Sequence, residues 1–325
     1  MKVVTIKDVA ERVGVSVTTI SRVLNNRGYL SDNLKRKVHE AMTEMNYQPN
    51  ELARSLSRKK SNVIGLIIPD ISHPFFSGMT KHIEYYAYKH GYKLMLCNSL
   101  LNKKKEKEYI ELLRASQVDG IIMGSHTMRV EEYAAIKLPL VTLDRRISNA
   151  IPHVSSDNYL GGMLATSLLL KKGCRKIAYL SGSLQLNLLA KQRHDAFIGQ
   201  VRGQGVDYVV RQTDLNGFKY KEYESLVREL FREHPDIDGV FASSDLLALQ
   251  VIKECRRLDK KVPEQVKVVG YDGIPIGGAD ELTTIEQPIR EMGKLLVGRL
   301  LQQITGEETP LETILPVRLL ERGTT

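Results

Sequence analysis

The chain reads TIKDVAERVGVSVTTISRVLNN from Thr5 to Asn26. Thr5 and Asp8 have the spacing of a capping pair, and the apolar residues after Thr5 recur at the i, i+3, i+4 and i+7 positions of one helix face. Gly14 then interrupts the pattern, and Ser16 is a residue type that accepts backbone N–H bonds where a second helix begins. Because two helices joined by so short a turn cross at a steep angle, this stretch predicts a helix-turn-helix.

The predicted second helix has two different faces. Its apolar residues Ile20 and Val23 face inward, and hydrogen-bonding side chains form a ridge on the opposite side. That ridge consists of Thr18, Ser21, Arg22 and Asn25. Side chains of this kind reach base edges in a major groove, where Val17 would contact a thymine methyl. An ordinary solvated helix face is the alternative that the motif leaves open.

A third helix and a short basic segment follow. Ser31 is a suitable N-cap for the third helix, and Asn50 is a suitable N-cap for residues 51–56. The second of these segments is too short to be stable alone in water, so it would order only when docked. Its Leu56, next to the basic residues 58–60, suits an apolar wedge in a minor groove. A plain linker between domains is the alternative.

The positive charge of the chain is concentrated at its start. The 325 residues carry a net charge of +9, and residues 1–60 hold 12 Lys+Arg against 6 Asp+Glu. This imbalance favours a polyanionic partner for the N-terminal part. The three cysteines are far apart, and there is neither a signal peptide nor an apolar run of membrane-spanning length. We therefore expect a cytoplasmic protein that has no membrane partner.

From residue 62 onward, short β-rich runs alternate with amphipathic stretches. This alternation predicts parallel sheets covered by helices on both faces, and the length favours two lobes. The predicted strands are Val63–Ile68, Lys93–Cys97, Gly120–Met123, Leu140–Leu143, Ile177–Leu180, Gly239–Ala242 and Val266–Tyr271. The predicted helices lie near 77–90, 104–116, 158–172, 219–234 and 245–258.

Polar residues cluster where these strands end. Asp144 and Asp272 each follow a predicted strand directly, and Phe75 and Phe76 lie shortly after the first strand. Ligands of such folds bind in the crevice beyond the carboxyl ends of the strands. Carboxylates, a guanidinium and aromatic rings at that place suit a sugar, although each residue taken singly is equally suited to a structural role.

Enzyme and metal motifs are missing from the sequence. There is no GxGxxG after a strand, no GxxxxGK[ST], no GxSxG and no HExxH. The histidines are mostly isolated, and His73, His126, His153 and His194 are more typical of packed or surface residues than of metal ligands. We therefore predict a non-enzymatic protein with no cofactor and no metal.

The chain resembles the lactose-repressor family of bacterial transcriptional regulators over nearly its whole length. The stretch from Thr5 to Asn26 and the later NYQPNELARSLSRKKSNVIGLIIPDISHPFF show the resemblance most specifically. NNRGYLS, HGYKLMLCNS, QVDGII, VSSDN, VVGYDG and ILPVRLL are most similar to sucrose operon repressors within that family. The resemblance implies an N-terminal all-α helix-turn-helix domain and an α/β two-lobed, periplasmic-binding-protein-like domain with doubly wound parallel sheets.

The resemblance also implies boundaries and site residues. Residues 1–49 would bind DNA, 50–61 would form a hinge helix and linker, and 62–325 would bind the effector and dimerise. The predicted DNA-binding residues are Thr5, Ser16, Val17, Thr18, Thr19, Ser21, Arg22, Asn25, Tyr47, Asn50, Ala53 and Leu56. The predicted effector-binding residues are Phe75, Phe76, Asn98, Ser125, Asp144, Arg193, Phe218, Asp245 and Asp272.

These expectations combine into one predicted function. The protein would repress a sugar-utilisation operon, with sucrose as the expected sugar, by binding a palindromic double-stranded DNA operator as a homodimer. A small sugar or sugar phosphate would control it. Two alternatives stay open: a catabolite regulator that uses a phosphorylated protein as corepressor, and a carbohydrate-binding protein without a regulatory role.

Overall fold

The chain divides into two compact units, residues 1–61 and 62–325. The computed structural model describes residues 4–25, 27–48, 60–184, 188–213, 220–275 and 281–325. Each unit has a hydrophobic core of its own.

The first unit is a bundle of three short helices: α1 (Ile6–Val13), α2 (Val17–Leu24) and α3 (Asp32–Glu44). The capping pair of Thr5 and Asp8 closes the start of α1, and the hydroxyl of Ser16 accepts a bond from the Thr19 backbone at the start of α2. Gly14 ends α1 with a φ of 76°, a left-handed conformation that few residues other than glycine adopt readily. The apolar faces of the three helices meet in one small core.

The second unit contains two six-stranded sheets, each at the centre of a lobe. The strands are β1 (Val63–Ile68), β2 (Lys93–Asn98), β3 (Gly120–Met123), β4 (Leu140–Leu143), β5 (His153–Ser156), β6 (Lys176–Ser181), β7 (Asp207–Gln212), β8 (Gly239–Ala242), β9 (Lys267–Asp272), β10 (Thr283–Glu286), β11 (Glu312–Leu315) and β12 (Arg318–Leu320). Lobe 1 has the strand order β11-β5-β4-β3-β1-β2, with all neighbours parallel. Lobe 2 has the order β12-β10-β9-β8-β6-β7, in which only the edge strand β12 is antiparallel.

Helices cover the sheets of both lobes and bury their apolar faces against them. In lobe 1 they are α4 (Pro74–Lys89), α5 (Lys103–Ala115), α6 (Val130–Ala134) and α11 (Ile289–Thr305). In lobe 2 they are α7 (Asn158–Lys171), α8 (Lys191–Gln204), α9 (Tyr220–Glu233) and α10 (Asp245–Arg257). None of the helices in the described part of the chain combines the length and the apolar character that crossing a bilayer requires.

The backbone passes between the lobes in three places. It leaves lobe 1 between β5 and α7, returns between β10 and α11, and leaves again between β11 and β12. Neither lobe is therefore a continuous piece of sequence. The chain segments at these passages connect the two lobes covalently, so any change in the angle between the lobes must be absorbed there.

The sequence did not predict several of these elements. They are the strands His153–Ser156, Asp207–Gln212, Thr283–Glu286, Glu312–Leu315 and Arg318–Leu320, and the helices Val130–Ala134, Lys191–Gln204 and Ile289–Thr305. Helix α8 mixes charged residues with two glycines and has no clear apolar stripe, whereas β5 is polar in sequence although the sheet buries it. Tertiary packing outweighs weak local patterns in both cases.

Candidate functional site

A cavity of about 180 Å³ lies between the lobes, beyond the carboxyl ends of their strands. Lobe 1 contributes Phe75 and Phe76 from the first turn of α4, and Asp144 from the end of β4. Lobe 2 contributes Arg193 from the start of α8 and Asp272 from the end of β9. The fold thus brings these five predicted effector-binding residues to one cavity, although up to about 200 residues of sequence separate them.

Arg193 is the cation among the buried charges of this cavity. Its side chain is 7% exposed, its Nε donates to the Asn158 Oδ1 at 2.6 Å, and one terminal nitrogen donates to the Ser243 carbonyl at 3.1 Å. The guanidinium also lies 3.6 Å from the centre of the Tyr271 ring. A cation held this firmly can present its remaining N–H groups to a ligand oxygen in a fixed direction.

Close packing of two helices holds Arg193 at the cavity. Helix α7 packs against α8 at Gly162, where an added Cβ would lie 2.6 Å from the Arg193 carbonyl oxygen. Any larger residue at that place would push the two backbones apart. Gly162 therefore contributes to the site by allowing the backbones of α7 and α8 to lie this close together.

The pKa values of the two cavity carboxylates, Asp144 and Asp272, are both raised. Burial raises the pKa of Asp144, while the positive charge of Arg193 and a hydrogen bond from Asn158 act against that rise. Burial raises the pKa of Asp272 well above its usual range, and the nearby Asp245 raises it further. Carboxyl groups in this environment accept hydrogen bonds from ligand hydroxyls at low desolvation cost, because the protein has already removed their water.

Both carboxylate residues also have an unusual backbone. Asp144 has a φ of 56° and Asp272 a φ of 116°, values in the left-handed region that residues with a Cβ seldom occupy. Such conformations cost on the order of 1–3 kcal/mol each and tend to occur at binding sites. Here they turn each carboxylate from the end of its strand toward the cavity.

Aromatic rings form the side of the cavity near α4. Phe75 and Phe76 meet edge to face with ring centres 5.1 Å apart, and His73 lies 5.6 Å from Phe76. Burial lowers the pKa of His73 to about 4, so its ring is neutral at pH 7. The cavity thus combines apolar ring surfaces with carboxylates and a guanidinium, which is a combination suited to the hydroxyl groups and C–H faces of a sugar.

Three further predicted effector residues lie outside the lining of this cavity. Asn98 accepts a bond from the Ile71 backbone at 3.2 Å, and Ser125 donates to the buried Glu106 at 2.6 Å. Asp245 accepts from the Thr284 hydroxyl at 2.5 Å and from the Ile274 backbone at 2.9 Å. The polar atoms of these three residues are thus engaged in hydrogen bonds within the protein. Phe218 lies outside the described residues.

Sequence reasoning missed Gln287 and Asn158. Gln287 lines the cavity directly after β10, and Asn158 supports Arg193 from the first turn of α7. The strand β5 before Asn158 and the strand β10 before Gln287 were both missed in the sequence. Recognising those strands would have placed both amides at strand ends, where the other polar residues were found.

The first unit carries the predicted DNA-binding residues on and around α2. Val17, Thr18 and Arg22 are exposed, whereas Thr19, Ser21 and Asn25 are partly buried. Thr5 and Ser16 have cap roles, and Tyr47 packs partly against the helical core. Asn50, Ala53 and Leu56 lie outside the described residues. Tyr29, which the sequence analysis did not single out, is 96% exposed in the turn before α3.

No group of three or more His, Cys, Asp or Glu side chains in the described ranges is arranged to hold a metal ion. The three cysteines are buried and free, and burial raises the pKa of Cys97 and Cys174 to about 11. Their thiols are therefore protonated at pH 7.

Comparison with known proteins matches each unit to a family whose description names LacI. Residues 5–50 match the family described as bacterial regulatory proteins, lacI family. Residues 61–323 match the family described as periplasmic binding proteins and sugar binding domain of LacI family. The chain belongs to the LacI family. The resemblance inferred from the sequence and the predicted fold class are thereby confirmed, and this LacI-family protein is a DNA-binding transcriptional regulator.

Two curated relatives match this LacI-family chain over nearly its whole length. The ribose operon repressor of Halalkalibacterium halodurans is 40% identical over 99% of this chain and 97% of its own length. The sucrose operon repressor of Pediococcus pentosaceus is 41% identical over 97% of this chain and 98% of its own. Among solved structures, the Lac repressor dimer bound to operator and the anti-inducer ONPF has a TM-score of 0.86, 26% identity, and coverage of 100% of this chain and 99% of that one.

Proposed function

We propose that this LacI-family protein represses a sugar-utilisation operon, most specifically one for sucrose, and that a small sugar or sugar phosphate bound between its lobes controls it. The observation that carries the proposal is the cavity in which Asp144, Arg193 and Asp272 meet beside Phe75 and Phe76. The same chain carries the exposed polar side chains of Thr18 and Arg22 on α2, which begins with the exposed Val17. A ligand-binding cavity and a DNA-reading helix in one polypeptide are what a ligand-controlled repressor requires.

The proposal includes a homodimer on a palindromic operator. A single α2 reads only one half-site, so two-fold symmetric DNA requires two copies. Leu96 on the edge strand β2, Leu100 in the loop after it and Leu112 on α5 are large apolar side chains that are 41%, 54% and 49% exposed. Apolar side chains exposed on an edge strand and its surroundings favour contact with a second subunit.

We further propose that residues 50–61 connect the two functions, with Leu56 inserted in the operator minor groove. The protein would act in the cytoplasm, where operator DNA is located, and without catalysing a reaction. Relatives named for ribose repression are as similar as those named for sucrose repression, so ribose is the second candidate sugar.

Operator binding tests the whole proposal. Fluorescence anisotropy of labelled duplexes at moderate salt should show a preference of at least about 10³-fold for a palindromic fragment over a scrambled one. Sucrose, fructose, ribose and their phosphates are then added one at a time, and at least one should change the operator affinity. No preference for the palindrome would refute DNA-binding control, and no response to any of these compounds would refute the sugar effector.

A further inference from the structure

Two buried amide side chains join the lobes at two of the three chain passages. Asn158 is the first residue of α7, directly after the passage from β5, and it is fully buried. Gln287 follows β10 at the return passage and is 4% exposed. Both lie where the chain must bend if the lobes change their angle.

Asn158 bonds to a cavity residue of each lobe. Its Nδ2 donates to the Asp144 Oδ1 at 2.7 Å in lobe 1, and its Oδ1 accepts from the Arg193 Nε at 2.6 Å in lobe 2. An amide can do this without adding charge, since it offers a donor to the carboxylate and an acceptor to the guanidinium from one rigid group. Asn158 itself does not line the cavity, so it acts through Asp144 and Arg193.

Gln287 makes the corresponding connection at the other passage. Its Oε1 accepts from the Ser156 hydroxyl at 2.7 Å, and its Nε2 donates to the Asp272 Oδ1 at 2.8 Å. Ser156 is the last residue of β5 in lobe 1, whereas Asp272 ends β9 in lobe 2. The two passages are therefore bonded to each other as well as to the cavity.

The three buried charged residues that line the cavity, Asp144, Arg193 and Asp272, thus each share a hydrogen bond with an amide at a passage between the lobes. A ligand that forms hydrogen bonds with Asp144, Arg193 or Asp272 competes with Asn158 or Gln287 for these hydrogen-bond partners. Because both amides are buried, bulk water does not replace a lost hydrogen-bond partner. The unsatisfied amide then costs free energy and destabilises the present arrangement of the lobes. This is the physical requirement for a site to bias a two-state hinge.

We propose that Asn158 and Gln287 are positioning residues that couple the occupancy of the cavity to the angle between the lobes. The inference rests on the proposed function in that the occupant is taken to be the effector. The amides set the lobe angle in the empty protein, and a ligand shifts that angle by competing for their partners.

The test measures the distance between the lobes directly, in the full chain and without ligand. Spin labels are attached at Lys107→Cys on α5 in lobe 1 and Gln204→Cys on α8 in lobe 2, both exposed positions. The native cysteines are buried, so labelling is restricted to the introduced thiols. Electron-spin distance measurements then compare Asn158→Asp and Gln287→Glu with the otherwise native chain.

Each substitution keeps the shape of the side chain, replaces the amide NH2 group with its two N–H donors by an oxygen, and adds a negative charge. In Asn158→Asp, two carboxylate oxygens would face each other where the Nδ2 now lies 2.7 Å from Asp144. We expect a shifted or broadened distance distribution in both variants. Thr166→Val is the matched control, because the Thr166 hydroxyl is equally buried on α7 but bonds to the Gly162 carbonyl within its own helix.

A residue with a purely structural role would lower the unfolding temperature without moving the lobes. Distributions of both amide variants that superimpose on the native one would therefore overturn the proposal. If Asn158→Asp does not fold, Gln287→Glu and the milder Ser156→Ala, which removes only the hydroxyl bonded to Gln287, decide the question in the same way.

A second measurement addresses the coupling itself. Operator affinity is measured with and without whichever of sucrose, fructose, ribose or their phosphates affects the native protein. The ratio, expected in the range of roughly 5 to 150 for the native chain, should fall toward 1 in the amide variants. Failure of every sugar would refute the proposed effector but leave the lobe-distance result as a valid test of the two amides.

Discussion

At the scale of single residues, the site depends on one guanidinium placed near two carboxylates. Arg193 has a fixed planar set of donors, of which Asn158 and Ser243 already take two. Asp144 and Asp272 lower the cost of burying this cation, and Arg193 in turn opposes the rise of their pKa. Deleting any one of the three charges leaves the other two in an altered electrostatic environment, so the three residues act as a unit.

Arg193→Ala is predicted to remove the response to the sugar in a protein that still binds the operator. The lost charged hydrogen bonds correspond to a fall in sugar affinity of roughly 10- to 150-fold. Isothermal titration with the active sugar and operator anisotropy measure the two effects separately. Arg202→Ala is the control on the same helix, because Arg202 is exposed. An unchanged sugar response in Arg193→Ala would remove Arg193 from the effector site.

At the scale of elements, helix ends explain how short helices can form the first unit. Helices α1 and α2 have eight residues each, which is too few for stability in isolation. Caps at Thr5, Ser16 and Ser31 satisfy backbone N–H groups at the three helix starts, and the shared core supplies the rest. The cap of α2 also fixes the position from which its polar ridge projects.

One serine substitution and one threonine substitution at the start of α2 should therefore have different effects. Ser16→Ala is predicted to lower the unfolding free energy of residues 1–61 by about 1 kcal/mol, because a helix cap is lost. Thr18→Ala removes an exposed side chain from the ridge, so it should weaken operator binding while leaving stability within about 0.5 kcal/mol. Chemical denaturation and operator anisotropy distinguish the two. Equal loss of stability in both variants would contradict the cap assignment.

At the scale of the whole molecule, the arrangement of the chain makes the two lobes one responsive unit. The chain passes between them three times, and residues from both lobes form the cavity. A ligand there contacts both lobes at once and stabilises the lobe angle that suits it best. If that angle also affects DNA binding by the N-terminal unit, sugar and operator binding are thermodynamically linked.

Linkage predicts that the sugar and the operator affect each other equally. The factor by which the sugar changes operator affinity should equal the factor by which the operator changes sugar affinity, typically between about 5 and 150. Anisotropy gives the first factor, and titration of the sugar into protein with or without the palindromic duplex gives the second. A scrambled duplex serves as the control. A sugar that binds with no effect in either direction would refute coupling between the two sites.

Features that depend on neighbouring residues can be predicted from the amino-acid sequence alone. The caps at Thr5, Ser16 and Ser31 and the turn at Gly14 follow from local hydrogen bonding and backbone preference. The alternation of strands and helices indicated a parallel α/β body, and the resemblance together with strand-end positions pointed to Asp144, Arg193 and Asp272. These predictions needed no knowledge of which segments pair.

Features that depend on contacts between segments distant in sequence are defined by the fold and were not predicted. The polar strand β5 exists because β4 and β11 pair with it on either side, and no local pattern encodes such partners. Asn158 and Gln287 are ordinary polar residues in sequence, and they become connections between lobes only because the passages of the chain bring them to Asp144, Arg193, Ser156 and Asp272. Hydrogen bonds between distant residues form at the meeting of elements, so their partners are defined by the fold rather than by the sequence around either residue.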